Sequence, residues 1–173
     1  MTDWDDMLQR HGPRVWRMAQ RLLGNAHDAD ECLQEVLIAV WEYSLSHPIR
    51  HWPAFFQRTL ANKALDRLRQ RARRPDAAGG LPSDTFVPSR EPTPEQHLIG
   101  RELADWLRWA LTRLPAEEVE VVCLCCLEGF EHREVAEVLG INVSTVGVRL
   151  HRARNRLRGM MISGAQARRE VTP

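Results

Sequence analysis

The sequence predicts an all-α protein of two small helical domains joined by a flexible linker. Apolar residues recur at intervals of three and four along both halves of the chain, and no segment alternates long enough to predict a sheet. Between the halves, the segment PDAAGGLPSDTFVPSREPTP is rich in Pro, Gly, Ser and Thr and lacks a hydrophobic period, which is typical of a linker. The predicted divisions are an N-terminal domain at 1–74, a linker at 75–97, a C-terminal domain at 98–162 that contains a helix-turn-helix, and a flexible tail at 163–173.

Helix boundary signals support this division. Gly24 follows the first apolar period, and Pro53 and Pro115 suit first helical turns. Thr93 and Pro94 form a cap followed by a first-turn proline. These signals predict at least three helices before the linker and four after it. Because each domain is well under about a hundred residues and buries a modest core, we expect marginal stability.

The composition is that of an ordinary globular chain, with 43% hydrophobic and 27% charged residues. The longest apolar run, Val121 to Leu127, is far shorter than the roughly 20 residues that a membrane span requires. The opening segment MTDWDDMLQR is acidic, where a secretion signal would be basic and then apolar. We therefore predict a cytoplasmic protein without membrane insertion. The sequence has no Gly-rich phosphate loop and no nucleophile-base motif, and we predict neither an enzyme nor a cofactor.

The four cysteines do not form a spaced zinc pattern, so no metal site is predicted. Cys123, Cys125 and Cys126 lie in an apolar helical stretch, where small buried side chains are expected. Buried structural thiols are the first interpretation. A helical sensor that uses Cys123 and Cys126 together with His132 is a second interpretation, and the sequence leaves it open.

The segment STVGVRLHRARNRLRG holds five arginines and no acid in a chain of net charge +1. Just before and within it, Ala136, Gly140 and Val146 have the spacing of a helix-turn-helix, whose second helix enters the DNA major groove. At about 100° per residue, this second helix has one apolar side and one DNA-facing side. The apolar side consists of Val146, Leu150, Ala153, Leu157 and Met160, and the DNA-facing side of Ser144, Val148, His151, Arg152 and Asn155.

Arginines flank the DNA-facing side where the two phosphate backbones would run. Arg149 and Arg156 lie on one flank, and Arg154 and Arg158 lie on the other. The alternative is a solvated basic helix without a partner, which the mutual repulsion of five like charges disfavours. Arginine supplies every basic residue except Lys63. Its planar fork binds phosphate and guanine bidentately, although a codon bias would give the same skew.

A second basic block is RHWPAFFQRTLANKALDRLRQRARR, in which Asp66 is the one acid. A helical wheel predicts a buried arc of Leu60, Ala61, Ala64, Leu65 and Leu68. Outside that arc lie Trp52, Phe55, Thr59, Asn62, Lys63 and Asp66. Stacking on aromatic rings contributes about 1–3 kcal/mol per base, so this side could hold melted DNA. The alternative is that both rings pack on a neighbouring helix.

The segment DADECLQEVLIAVWE has the opposite charge, with five acids and no basic residue. Nucleic acid should avoid this surface. An acidic helix is often only a solvated one, but its presence in a chain with two basic DNA-binding candidates indicates a protein partner.

Taken together, these segments resemble the ECF (extracytoplasmic-function) group of bacterial sigma factors, from about Met7 to Arg158. The resemblance depends on the order of four segments around one linker: RLLGNAHDADECLQEVLIAVW, HWPAFFQRTLANKALDRLRQR, LTRLPAEEVEVVCLCCLEGF and EVAEVLGINVSTVGVRLHRARNRLR. It implies an initiation factor that joins core RNA polymerase, in which the first domain opens the minus-ten element and the second reads the minus-thirty-five element as duplex.

The resemblance also implies three sets of functional residues. The residues expected to dock on the clamp helices of the largest polymerase subunit are Asp30, Glu31, Gln34 and Glu35. Those expected at the minus-ten DNA are Trp52, Phe55, Arg58, Asn62 and Lys63, after a loop, SLSHPIRHW, that matches the pocket for an extruded base. Those expected at the minus-thirty-five DNA are Ser144, Thr145, Val148, Arg149, His151 and Arg152, with Arg152 the best candidate for a guanine contact.

Some positions depart from the family pattern. Gly147 stands where a basic residue is usual, and Glu131 and His132 replace a frequent Ser-aromatic pair, which removes the usual hydroxyl cap. Cys32 replaces a larger aliphatic residue. The alternative function is a stand-alone helix-turn-helix regulator of transcription, which would leave the acidic segment and the first basic block unexplained. Family members are often held by an anti-sigma factor, but the sequence identifies neither that partner nor the promoter or the inducing signal.

Overall fold

The computed structural model describes the backbone of residues 4–73 and 94–170 and the side chains of residues 4–73 and 100–163. These residues form helices joined by short turns and contain no strand, which confirms the all-α prediction. The helices are α1 (Trp4–Leu23), α2 (Ala26–Ser44), α3 (Trp52–Ala72), α4 (Pro94–Arg113), α5 (Ala116–Val121), α6 (His132–Leu139) and α7 (Val143–Glu170). Helix α4 begins at Pro94, as the cap signal predicts, and residues 75–93 of the predicted linker lie outside the described residues.

Helices α1, α2 and α3 form the first bundle. They pack through the apolar sides that the sequence period predicts: Met18 from α1, Val36 from α2 and Leu60 from α3 are inaccessible to solvent. The whole predicted arc of α3, from Leu60 to Leu68, is buried. The bundle therefore presents the polar sides of α2 and α3 to its surroundings.

Gly24 makes the turn between α1 and α2. Its φ of +86° lies in the left-handed region, and a Cβ at this position would come within 2.9 Å of Cζ of Arg108, so both the backbone and the neighbouring α4 favour glycine. The next residue caps α2, because the side chain of Asn25 accepts a hydrogen bond of 2.8 Å from the backbone N–H of Asp28.

Helices α5, α6 and α7 form the second bundle, and α4 packs on α1 and α3 of the first bundle. Buried residues of the second bundle include Val119 from α5, Val135 from α6 and Leu150 from α7. The predicted apolar side of α7 is confirmed. Its first three residues are buried, and its last two are partly buried against the same cluster.

Between α5 and α6, residues Val122–Leu127 form a π-helical segment that the sequence analysis did not predict. The backbone N–H of Glu128 donates to the carbonyl of Cys123 at 3.1 Å, five residues back. The wider turn places Cys123 inside and Cys126 on the surface. The expectation of buried thiols is therefore right for Cys32 and Cys123, incomplete for the half-buried Cys125, and wrong for Cys126.

Helices α6 and α7 form the predicted helix-turn-helix. Gly140 ends α6 in the left-handed conformation, with φ 66° and ψ 35°. The start of α6 lacks the family's hydroxyl cap. In its place, the backbone N–H of Glu131 donates to Oε2 of Glu134 at 2.8 Å, so a carboxylate satisfies an N–H group at this terminus.

The two bundles pack against each other, and α3 of the first bundle lies at their interface. Helix α3 contacts α1 and α2 as well as α4, α5, α6 and the π-helical segment. The buried apolar residues of both bundles belong to one continuous cluster. In place of the two modest cores that were expected, the structure has one shared core, and a larger core buries a larger fraction of the chain's surface.

Gly147 provides a test of helix propensity in α7. A Cβ at this position would meet no atom within 4 Å, and glycine in a helix interior costs about 1 kcal/mol relative to alanine. We expect Gly147→Ala to raise the free energy of unfolding by about 0.5–1 kcal/mol, measured by urea denaturation. The matched control is Gly140→Ala, which also has open space but should destabilise by about 1–2 kcal/mol because of its positive φ. Stabilisation by both substitutions would contradict this account.

Candidate nucleic-acid and protein interfaces

The acidic face of α2, defined as Asp30, Glu31, Gln34 and Glu35, is exposed at all of its positions. Its carboxylates are held by neighbouring side chains. Nε1 of Trp16 donates to Asp30 at 2.6 Å, and Arg67 donates to Glu31 at 3.1 Å and to Glu35 at 2.8 Å. The acidic face is thus a pre-organised surface whose charge is partly balanced by α3.

An apolar surface continues the acidic face along the same helix. Ile38 is 59% exposed and Trp41 is 47% exposed, and Leu45, just after the helix, is 70% exposed. These positions follow Glu31 and Gln34 at helical intervals of three or four. The sequence analysis did not include them among the docking residues, although their spacing was visible.

The predicted minus-ten surface consists of Trp52, Phe55, Arg58, Asn62 and Lys63 and is called the minus-ten surface below. Its two aromatic residues pack on neighbouring elements. The ring of Trp52 lies 6.2 Å from that of Trp4, centroid to centroid, and the ring of Phe55 lies 4.8 Å from that of Tyr43. Both rings are only partly buried. In this structure both rings therefore pack on neighbouring helices, which is the alternative that the sequence left open.

The polar residues of the minus-ten surface point in two directions. Nε of Arg58 donates to Oε1 of Glu120 at 3.0 Å, and Nδ2 of Asn62 donates to the same oxygen at 2.9 Å. Lys63 instead faces the acidic side, with Nζ 3.8 Å from Oε2 of Glu35. The structure therefore brings Arg58 and Asn62 together and separates them from Lys63.

The reading surface, defined as Ser144, Thr145, Val148, Arg149, His151 and Arg152, lies on α7. Ser144, Val148, His151 and Arg152 are exposed, whereas Thr145 and Arg149 are partly covered. Arg149 lines a cleft between the bundles, together with Arg58 and Asn62. A hydrogen bond of 2.9 Å joins Asn155 to Nε2 of His151 and orients the imidazole.

One of the flanking arginines has an acid partner that the sequence analysis missed. Nε of Arg156 lies 3.3 Å from Oε2 of Glu118, a buried residue of α5. The charge of Arg156 is therefore offset by an acid that lies outside its own segment. On the other flank, Nη2 of Arg154 donates to Sγ of Cys126 at 3.8 Å.

The sequence analysis overlooked the acids of α5 and of the turn that precedes α6 as partners of the arginines. Glu118, Glu120 and Glu128 each pair with an arginine of another helix. The signal was present in the segment AEEVEVVCLCCLE, which has four glutamates and no basic residue. Its charge complements that of α3.

Burial makes three of the thiols weak acids. It raises the pKa of Cys32 to about 11, of Cys123 to about 12 and of Cys125 to about 11. Since the thiolate is the form that reacts with oxidants and binds metals, these groups are poorly suited to either task at neutral pH. Within the described residues, no three His, Cys, Asp or Glu side chains are grouped closely enough to hold a metal ion, and the hypothesis of a sensor that uses Cys123, Cys126 and His132 gains no support.

None of the helices in 4–73 and 94–170 is long and apolar enough to cross a membrane. Two family models match the chain: Sigma-70 region 2 at residues 7–74, and Sigma-70, region 4 at residues 104–157. Together they cover more than half of the chain.

Curated relatives extend this similarity along the chain. It is 38% identical over 160 residues to the ECF RNA polymerase sigma factor SigE of Mycolicibacterium smegmatis, an alignment that covers 91% of this chain and 61% of SigE. The chain therefore spans less than two thirds of SigE. It is 30% identical over 164 residues to the ECF RNA polymerase sigma factor EcfG of Rhodopseudomonas palustris, covering 94% of this chain and 87% of EcfG.

Two solved structures have a similar fold. One is the sigma factor RpoE from Bartonella quintana in complex with the anti-sigma factor NepR, with a TM-score of 0.58 and 23% identity, covering 93% of this chain and 98% of that one. The other is CnrH in complex with the cytosolic domain of CnrY, with a TM-score of 0.58 and 22% identity, covering 92% and 88%.

The thiol environments predict which cysteine reacts first. We expect Ellman's reagent to modify Cys126 in a rapid phase at pH 7.5, because it is the exposed thiol, and to modify Cys32 and Cys123 only on unfolding. Cys126→Ser should remove the rapid phase. Cys125→Ser is the control and should keep it. A rapid phase that survives Cys126→Ser would show that the register of the π-helical segment differs from the one described.

Proposed function

Because the chain belongs to the family of ECF RNA polymerase sigma factors, we propose that it binds core RNA polymerase and directs it to promoters. Like other sigma factors, it has no catalysis of its own. Its action depends on binding energy, through docking on polymerase, neutralisation of phosphates, readout of bases and capture of melted bases. It would act in the cytoplasm, where the polymerase works. An anti-sigma factor is a further partner that the family resemblance implies.

The acidic face of α2 is the surface that we assign to the clamp helices of the largest polymerase subunit. Its support is electrostatic and geometric. Four polar residues are exposed along one helix, and the hydrogen bonds from Trp16 and Arg67 fix the carboxylates. Fixed carboxylates lose less side-chain entropy on binding than mobile ones. The exposed Ile38 and Leu45 add apolar area beside the charges.

The reading surface of α7 is the surface that we assign to duplex minus-thirty-five DNA, and its exposure is the structural observation that best supports the proposed function. Val148, 50% exposed, can contact a thymine methyl group. Arg152 can donate two hydrogen bonds to the O6 and N7 of guanine. Because Gly147 replaces a usual basic residue, we expect one phosphate contact fewer than is typical and a weaker duplex affinity.

The minus-ten surface of α3 is assigned to melted promoter DNA. Arg58, Lys63 and Asn62 supply charge-assisted and amide donors, and the half-buried Trp52 and Phe55 supply aromatic rings beside them. A stand-alone helix-turn-helix regulator is not favoured, because it would use α6 and α7 alone. Residues 7–74, which match Sigma-70 region 2, would have no role in such a regulator.

The first experiment is co-purification of the chain with core RNA polymerase, followed by sequencing of the transcripts that the complex initiates on genomic DNA. We expect stable association and a shared pair of upstream elements. Reversing two charges, with Asp30→Arg and Glu31→Arg together, should weaken core binding about tenfold or more by replacing attraction with repulsion.

The matched control reverses two acids on α1, with Asp5→Arg and Asp6→Arg, and should leave core binding unchanged. Both double variants should bind minus-thirty-five duplex as the wild type does. Undiminished core affinity of the α2 variant would contradict the docking assignment. Absence of any core association by a chain that still binds duplex alone would favour the stand-alone regulator.

Arg152 and Arg158 separate base readout from phosphate contact. Both are exposed on α7. We expect Arg152→Ala to lower affinity for the cognate duplex by about 1–3 kcal/mol and to relax the preference at one base pair. Arg158→Ala should weaken binding to all duplexes equally and reduce the salt slope by about 1. Titrations against cognate and mutated duplexes at several salt concentrations measure both quantities. A uniform loss on Arg152→Ala would assign it to phosphate instead.

A further inference from the structure

A carboxylate of the second bundle occupies the polar part of the minus-ten surface. Oε1 of Glu120 accepts hydrogen bonds from Arg58 at 3.0 Å and from Asn62 at 2.9 Å. The Arg58 guanidinium also donates, through Nη1, to the carbonyl of Val138 at 3.0 Å. The side chain of Glu120 is only 12% exposed, so this contact is largely shielded from water. The N–H groups of Arg58 and Asn62 therefore point toward the second bundle.

The chemistry of this contact is that of a phosphate contact. A carboxylate oxygen and a phosphate oxygen are both anionic acceptors, and a guanidinium binds either one with short charge-assisted hydrogen bonds. A DNA strand that runs along α3 would need the same N–H groups. Glu120 and the nucleic-acid backbone are consequently competitors for one site.

Further polar contacts hold the bundles together around this site. Glu128, whose side chain is 7% exposed, accepts from Nε of Arg14 at 2.7 Å and from Nε2 of Gln57 at 3.1 Å. Nη2 of Arg69 donates to the carbonyl of Leu114 at 2.7 Å. Together with the shared apolar core, these contacts hold the two bundles, and so the two domains, against each other in a closed arrangement.

The closed arrangement covers one DNA surface and leaves the other open. Val148, His151 and Arg152 are exposed on α7, whereas Arg58 and Asn62 are bound to Glu120. Arg149 and Arg58 line the same cleft. Promoter elements named for positions 35 and 10 lie about 25 base pairs apart, or roughly 85 Å at 3.4 Å per base pair. One chain can occupy both elements only after its domains separate.

We propose that Glu120 is an internal competitor of promoter DNA, which holds the free chain in a closed state that can read duplex minus-thirty-five DNA but not melted minus-ten DNA. Separation of the domains on core polymerase releases Arg58 and Asn62. This inference rests on the proposed function, because it takes the minus-ten role of these two residues as given. The apparent affinity of the free chain for the minus-ten strand is its intrinsic affinity reduced by the fraction of open chains.

The test uses the full-length chain and two labelled DNAs taken from a promoter that transcript mapping defines. One is a single strand that carries the minus-ten element, and the other is a duplex that carries the minus-thirty-five element. We expect Glu120→Ala to raise affinity for the single strand about fivefold or more and to leave affinity for the duplex within about twofold. Adding Glu128→Ala should raise single-strand affinity further, and retained duplex binding shows that both variants are folded.

The matched control is Glu117→Ala, which removes the same charge from an exposed position of the same helix and should change neither affinity. Equal single-strand affinity of the wild type, Glu120→Ala and the double variant would overturn the proposal. An increase on Glu117→Ala as large as that on Glu120→Ala would also overturn it, because net charge would then explain the effect.

Holoenzymes distinguish this inference from the function on which it depends. We expect wild-type and Glu120→Ala chains to open the promoter equally once each is bound to core polymerase, since the domains are then apart in both. A wild-type holoenzyme that fails to initiate would contradict the proposed function. Normal initiation combined with unchanged single-strand binding by free Glu120→Ala would contradict only the closed state.

Discussion

The basic side chains of helix α3 need acidic partners on more than one side of the helix, and the rest of the structure depends on how these ion pairs form. Its apolar arc lies in the shared core. Arg67 on one side pairs with Glu31 and Glu35, and Arg58 on another side pairs with Glu120. Partly buried cations without partners are strongly unfavourable. A basic helix at the interface of two bundles therefore requires acids from both of them, which α2 and α5 provide.

The positions of helices and their apolar sides were predictable because they are local properties. The buried sides of α3 and α7 follow from a period of 3.6 residues, and the turn at Gly140 follows from the need for a positive φ. The partners of the polar side chains were not predictable in the same way. Arg58 and Glu120 are 62 residues apart in sequence, and no period relates them. Only their opposite charges relate the two residues in the sequence.

The π-helical segment is a second feature that α-helical periodicity does not predict. An ideal α-helix through the three clustered cysteines predicts a common apolar environment, and residues Val122–Leu127 instead make wider turns. A change in residues per turn rotates every later side chain. Cys126 consequently reaches the surface beside Arg154, where an α-helical register had predicted a buried thiol.

Arginine has a structural use here that the sequence could not separate from codon bias. Arg67 donates to two carboxylates, Arg58 to a carboxylate and a carbonyl, and Arg14 to both the carboxylate and the carbonyl of Glu128. Each guanidinium joins two acceptors through N–H groups held in one plane, which a lysine ammonium does with less geometric order. The bonds that would hold DNA phosphates are thus of the same kind as those that hold the two bundles together in this structure. Because one kind of bond replaces another, the net free energy of the exchange is smaller than that of either set of bonds. Under the proposed function, polymerase binding would favour only one of these two sets of bonds and could then shift the equilibrium between them.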